Sequence, residues 1–202
     1  ILYEIITGSP PHQGSSLKEI LRSVLKSTPP AFEDSVPDSL QAICRKAMAL
    51  RPEDRFADAS ELRDALKAFR AHRESLAISE RAAEILERCQ VQVDESVRGA
   101  GDRNRLYGDF AEAVAGFRQA QVLWTDNDDA RVGEDRARFA FAHAALRYGD
   151  LGLADAQAEL LRDASRKARA LRTAIEHRRQ FKLQQRRQAV NARRTLMVAV
   201  AV

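Results

Sequence analysis

Apolar residues along this chain recur at three- and four-residue spacing, and no stretch alternates apolar with polar as a half-buried strand would. The pattern predicts an all-α segment. "ILYEIITGSPPHQG" puts Leu2, Ile5 and Ile6 on one face, widened by Ile1; Gly8 can end that helix and Pro10-Pro11 prevents its return. "SSLKEILRSVLKS" restarts it, with Ser16 and Glu19 at capping-box spacing and Leu17, Ile20, Leu21, Val24 and Leu25 in one stripe. "TPPAFEDSVP" reads as a loop. Asp38 then caps a helix with Leu40, Ile43, Cys44 and Ala47 facing inward. Asp58, with Glu61 three residues on, caps another whose stripe is Leu62, Ala65, Leu66 and Phe69. Caps and stripes agree on four short helices before residue 73. Ala71 to Arg98 reads as helix without a strong breaker, after which Gly99, Gly101 and Gly108 punctuate the chain.

Two later stretches echo each other. "YGDFAEAVAGF" starts at Tyr107 and "YGDLGLADAQAEL" at Tyr148, both reading Y-G-D-[FL]-x-x-A, 41 residues apart. The glycine can take a left-handed turn between helices, and Asp109 or Asp150 can cap the helix that follows. Phe110, Ala113, Val114, Phe117 and Ala120 repeat at helical spacing, small beside large, so that a neighbouring helix can approach closely. This resembles the turn and second helix of a tetratricopeptide repeat, whose period is about 34 residues. The first helix of each unit lacks the expected Trp-x-x-Leu-Gly, so generic helical hairpins remain the other reading. Phe139 and Phe141 are expected to pack on the first hairpin, and Trp124 at a hairpin end. A groove for a protein partner is an expectation of the repeat reading.

From Leu160 to Val202 there is neither Gly nor Pro, which predicts one long helix with basic residues all around it and weak apolar periodicity at Ala168, Leu171, Ile175 and Leu183. Charge changes the picture here. Residues 162–194 hold twelve Lys/Arg against Asp163 and Glu176, a net of +10 in a chain whose total is +4, so the remainder carries −6. Three readings stand: a solvated basic helix, a nucleic-acid contact, and a cytosolic juxtamembrane segment. Nucleic acid is disfavoured because Phe181 alone interleaves the basic residues. The juxtamembrane reading is favoured because Arg193-Arg194 runs into the unbroken apolar stretch Leu196–Val202, and Lys/Arg beside a span mark its cytosolic side. Seven residues fall short of the roughly 20 a span needs, so 196–202 is read as the truncated start of a transmembrane helix. The chain begins at Ile1 rather than Met, and both ends lie in apolar runs. The expectation is a segment of a longer protein.

Candidate chemistry is sparse. Cys44 and Cys89 stand alone, without Cys-x-x-Cys or Cys/His spacing, which argues against a structural zinc site and for buried free thiols in a reducing setting. His12, His72, His143 and His177 lie far apart with no ligand-spaced partner, so each is read as a surface or packing residue and no metal ligand is assigned.

The first third carries a family resemblance. "ILYEIITGSPP" followed by "VPDSLQAICRKAMALRPEDRFADASELRDAL" resembles the final part of a protein kinase domain, most nearly the bacterial-type serine/threonine kinases. It covers about residues 1–73, with Arg51-Pro52-x-x-Arg55-Phe56 before a capped helix as its most specific motif. His12 departs from it, standing where the family often has an aromatic residue. The resemblance implies that Arg55 pairs with the glutamate of the A-P-E motif that closes the activation segment. An arginine fork suits a bidentate carboxylate; without the family, pairing with Glu53 or Asp54 in a solvated loop would be the simpler reading. No glycine-rich phosphate loop, strand lysine, H-R-D-x-x-x-x-N or D-F-G is found in the chain, so no catalytic, nucleotide-binding or metal residue is assigned.

The expected organisation is a kinase-domain remnant over 1–73, a repeat-like helical region over 74–161, a basic juxtamembrane helix over 162–195 and the start of a span over 196–202. The resemblance implies a parent protein that transfers the ATP γ-phosphate to protein Ser/Thr with Mg²⁺, held at the cytosolic face of the cell membrane by a single span. The alternative is a catalytically inactive kinase-like adaptor whose helical repeats bind a partner protein. Intact catalytic motifs upstream would separate the two.

Overall fold

The computed structural model describes residues 1–26, 31–96, 102–162 and 165–200, with side chains for all of these except 94–96 and 193–200. The described residues form helices and no strand. They fall into two compact units, Ile1–Glu74 and Ser75–Val202.

The first unit holds α1 (Leu2–Thr7), α2 (Leu17–Lys26), α3 (Asp38–Ala47), a 3₁₀ turn over Pro52–Asp54 and the first part of α4 (Ala59–Ser96). Gly8 ends α1 at φ 72, its N–H donating to the Glu4 carbonyl at 2.8 Å. The two predicted capping boxes form with one change. Ser16 Oγ accepts from the Glu19 N–H at 3.4 Å, but the Glu19 carboxylate reaches one residue further back, to the Ser15 N–H at 2.8 Å. Asp58 and Glu61 repeat this: Asp58 Oδ1 accepts from the Glu61 N–H at 2.9 Å while Glu61 accepts from the Ala57 N–H at 2.6 Å. At α3 the cap position belongs to Pro37, whose carbonyl accepts from the Leu40 and Gln41 N–H groups, so Asp38 is the first helical residue and not the cap. The fourth helix is not short. With no Gly or Pro between Ala59 and Ser96, it continues as one helix through the segment read separately from Ala71.

This unit buries little. Its core is Tyr3, Phe32 and Cys44, with Leu2, Ile6, Val36 and Met48 partly covered and the Tyr3 and Phe32 ring centroids 5.1 Å apart. None of the α2 stripe is buried: Leu17 is 73% and Leu25 74% exposed.

The second unit takes the rest of α4, then α5 (Arg103–Leu123), α6 (Asp128–Arg147), α7 (Leu151–Glu159) and α8 (Arg166–Val200). Consecutive helices from α5 to α8 pack on one another. Ile85, Leu86 and Cys89 of α4 join Phe110 and Phe117 of α5 and Phe141 of α6 in the main core, where the Phe110 and Phe141 rings stack at 5.2 Å. Buried alanines separate these rings and let the helices close up: Ala113, Ala120, Ala137 and Ala144 are fully covered. Gly133 carries this furthest, since a Cβ there would lie 2.3 Å from Phe117 Cε1. A second core joins Ala142 and Ala145 to Ala154, Ala158 and Ala168, Leu171 and Ile175 of α8. Phe141 thus packs on the first hairpin as expected, whereas Phe139 turns to this second core and stacks on His143 at 6.4 Å. Trp124 ends α5, half-buried, with its N–H on the Ala120 carbonyl at 3.0 Å.

A buried amide organises the start of this unit. Asn127 caps α6 by accepting from the Ala130 N–H at 2.9 Å. Its Nδ2 donates to Ser75 Oγ at 2.8 Å and Ser79 Oγ at 3.1 Å, both on α4. Ser75 Oγ in turn donates to the Ala120 carbonyl of α5 at 2.7 Å.

The two Tyr-Gly-Asp copies are not equivalent. At the second, Gly149 has φ 77 and Asp150 accepts from the Leu153 N–H at 3.1 Å, the predicted turn and cap. At the first there is no turn. Asp102 caps α5, accepting from the Asn104 and Arg105 N–H groups, and Gly108 lies inside the helix. Leu106, Phe110, Ala113 and Phe117 form one buried line on both sides of Gly108, and covering it outweighs the roughly 1 kcal/mol that a helical glycine costs. Gly99 and Gly101 lie outside the described residues.

The tail is not one helix from Leu160. α7 stops at Glu159, and α8 starts at Arg166 after a return that sets Ala168, Leu171 and Ile175 against the second core. Arg172 stabilises this return: its Nε and Nη2 donate to the Ala158 carbonyl at 3.1 and 3.0 Å, and Nη2 also to that of Leu161 at 3.0 Å. Both carbonyls lie at or just beyond the C-terminal end of α7, where that of Ala158 also accepts the Leu161 N–H at 3.4 Å. Leu183, also read as apolar periodicity, is half-exposed. Of the stretch read as the start of a span, Leu196–Val200 closes α8 and 201–202 lie outside the described residues. Among the described residues no helix is long and apolar enough to cross a membrane.

Two alanine substitutions test this packing by thermal melting. Gly108→Ala, with no atom within 4 Å of the added carbon, raises stability by about 0.5–1 kcal/mol; a loss would restore the turn. Gly133→Ala meets the Phe117 ring and lowers stability by about 1–3 kcal/mol, despite the same gain in helix propensity.

Candidate functional site

Arg55 is the one side chain to which the sequence gives a role. It follows the 3₁₀ turn, and its Nε donates to the Ala49 carbonyl at 2.7 Å and its Nη2 to the Leu50 carbonyl at 3.3 Å. It therefore closes the chain that leaves α3. Among the described residues it forms no ion pair with Glu53 or Asp54. Among the described residues Nη1 donates to no partner, and a carboxylate could take that edge. Nearby, Lys46 sits 4.3 Å above the Phe56 ring and pairs with Glu61 at 2.9 Å, joining α3 to the start of α4.

No group of His, Cys, Asp and Glu that could hold a metal ion occurs among the described residues. Cys44 and Cys89 are buried free thiols, and burial pushes Cys89 up to about 11, far from a reactive thiolate. His12 packs through Nδ1 against Ser23 Oγ at 2.9 Å.

The second unit contains a charged network that the sequence did not single out. Glu134 and Arg138, four residues apart on α6, are both buried and meet at 2.7 Å. Arg162 pairs with the other Glu134 oxygen, which also accepts from Gln121 Nε2 at 3.0 Å. Arg138 reaches Gln157 of α7 at 3.0 Å. Burial works to raise the Glu134 pKa, but hydrogen bonds from Gln121 and Arg138 and the charges of Arg138 and Arg162 outweigh it and hold the carboxyl below its usual range. The sequence signal was present as an acid–base pair at helical spacing among alanines. Its burial depends on Gln121 and Arg162, distant in sequence.

Above this network, α4, α6 and α8 line an open groove. Leu76, Ala83 and Leu86 of α4, Phe117 of α5 and Val132 of α6 form the apolar part of one half, flanked by Glu80, Glu87 and Asp129. The other half has Phe139, Ala140 and Leu161, flanked by Arg131, Arg162 and Lys167. Gln90, Val132 and Arg136 border both. Carboxylates predominate along the first half, while in the second Asp135 stands among more numerous basic residues.

Beyond Ile175, α8 leaves the second core. Arg179 pairs with Asp155 of α7, and Lys182 Nζ donates to the Gly149 carbonyl at 2.8 Å. Every residue from Glu176 to Ala192 is exposed.

No family model matches the chain, and no solved structure matches it. Curated relatives do. The serine/threonine-protein kinase PknE of Mycobacterium tuberculosis (strain ATCC 25618 / H37Rv) is 34% identical over 93 residues, which cover 45% of this chain and 16% of that protein. The serine/threonine-protein kinase PknH of Mycobacterium bovis (strain ATCC BAA-935 / AF2122/97) is 35% identical over 95 residues, covering 45% of this chain and 15% of that protein. The chain thus spans about a sixth of the length of these relatives. The similarity supports a kinase-related region within it.

Glu134→Gln leaves Arg138 buried without its counter-charge and lowers the stability of the second unit by about 3 kcal/mol at neutral pH. Because the native carboxyl is held low, its contribution is full above the unfolded value of about 4.3. It is lost as pH falls through the lower native value. Acid unfolding followed by circular dichroism from pH 6 to pH 2 should show a shallower loss for the variant. Parallel curves would refute the assignment.

Proposed function

We propose that this chain closes the catalytic domain of a serine/threonine protein kinase and joins it, through a helical unit, to the cytosolic face of a membrane. The similarity to two serine/threonine kinases carries the reading. The Arg51-Pro52-x-x-Arg55-Phe56 motif supports it, with a guanidinium held by two carbonyls and open on one edge to a carboxylate. So do the exposed apolar residues of α1 and α2, which the remainder of a catalytic lobe would cover. In this reading the complete protein transfers the ATP γ-phosphate to Ser or Thr of protein substrates. ATP and Mg²⁺ belong to motifs outside this chain. Arg55 then fixes the activation segment by pairing with its closing glutamate. Leu196–Val202 begins a single span, with the basic residues of α8 on its cytosolic side.

A second reading rests on the groove between α4, α6 and α8. It takes the helical unit as repeat-like and the groove as the seat of a partner protein, the kinase-like part being scaffold.

The test is phosphate transfer from Mg·ATP by the complete protein containing this segment, with Arg55→Ala in parallel. Transfer by the wild type is expected. The variant removes one partner of a buried pair, which costs about 3–5 kcal/mol in the complete domain, and most activity is lost with it. In the 202-residue chain, where Arg55 only bonds exposed carbonyls, the same change costs about 1 kcal/mol. A well-folded complete protein that transfers no phosphate would contradict the enzyme reading and leave the adaptor.

A further inference from the structure

The charges of the free half of α8 are sorted by side. At 3.6 residues per turn, Lys182, Leu183, Arg186, Arg187 and Val190 fall within a sector of about 140°. Gln184, Gln188 and Asn191 lie on another side, together with the half-exposed Phe181. Between His177 and Ala192 there is no acidic residue. Leu183 and Val190, two turns apart and half-exposed, sit inside the basic sector with Arg186 and Arg187 beside them. Lys182 and Arg179 tie the near end of this sector to the α6–α7 turn and to α7, which fixes its direction. Beyond Lys182 the helix continues to Val200, roughly 27 Å further.

We propose that this sector, Leu183 and Val190 framed by Arg186 and Arg187, is a docking face for an anionic phospholipid surface. A purely solvated helix has no need to keep its amides on one side and its arginines with its aliphatic residues on another. A bilayer interface takes that pairing: arginines bind lipid phosphates, and the two aliphatic side chains enter the headgroup boundary. The same helix leads into the apolar run Leu196–Val200. Nucleic acid would engage the arginines but leave Leu183 and Val190 wet. A second copy would bring like charges together. The inference rests on the membrane part of the proposed function and deepens it, while phosphoryl transfer is tested separately by the Mg·ATP assay.

The experiment is co-sedimentation of the 202-residue chain with phosphatidylglycerol-containing vesicles and with phosphatidylcholine vesicles. Binding to the anionic vesicles is expected, weakening as salt is raised. Arg186→Gln with Arg187→Gln should weaken it by tenfold or more, and Leu183→Gln with Val190→Gln by several-fold. Gln184→Glu with Gln188→Glu changes the net charge by the same two units on the other side and should have much less effect. Circular dichroism of each variant confirms that the helices persist. Equal losses from the two charge-matched pairs would reduce the effect to net charge and overturn the proposal. So would equal binding to both vesicle types, tighter binding of a DNA duplex than of anionic vesicles, or a dimer that buries Leu183 and Val190.

Discussion

The helical unit depends on one buried amide. Asn127 must cap α6 and at the same time donate to two hydroxyls on α4, one of which donates onward to the end of α5. A buried amide without partners would cost several kcal/mol, so α4, α5 and α6 are held in the one arrangement that satisfies it. Around that point the alanines and Gly133 let the helices approach closely, and the aromatic rings of Phe110, Phe117 and Phe141 fill what remains. Glu134 and its partners extend the same constraint toward α7 and Arg162.

The first unit has no such point. Among its described residues three buried side chains form its core, and none of the α2 stripe is buried. Good local signals nonetheless set its helices: Gly8 at a left-handed end, and two capping boxes whose glutamates reach back to a free backbone N–H. Local order without a core is what the end of a larger lobe would show when it stands without its neighbours. Arg55 is as local, since its Nε and Nη2 donate to the Ala49 and Leu50 carbonyls beside it.

Much of this was legible in the sequence because it is local. Helical periodicity, Asp58, Gly8, Asp150 and the buried faces of Cys44 and Ile175 follow from residues within a few turns of one another. What failed depended on distance along the chain. Gly108 looks like its counterpart Gly149, but the packing on both sides of it keeps α5 continuous. The break after Glu159 carries no Gly or Pro; it follows from the second core and from Arg172, fourteen residues after the Ala158 carbonyl it satisfies. Buried charges such as Glu134 look like surface pairs until Gln121 and Arg162 are brought beside them. For Arg55 the family resemblance supplied a role, whereas the neighbouring acids supplied only the simpler pairing that the structure does not make.

The two units differ in how much they bury: a small cluster around Tyr3, Phe32 and Cys44 in the first, two larger cores in the second. Native-state hydrogen exchange on the 202-residue chain measures this directly. Strong, cooperative protection is predicted in α4 from Ser75, in α5, α6 and α7, and in α8 as far as Ile175, with fast exchange across α1, α2 and α3. Uniform protection of both units in one cooperative transition would contradict it.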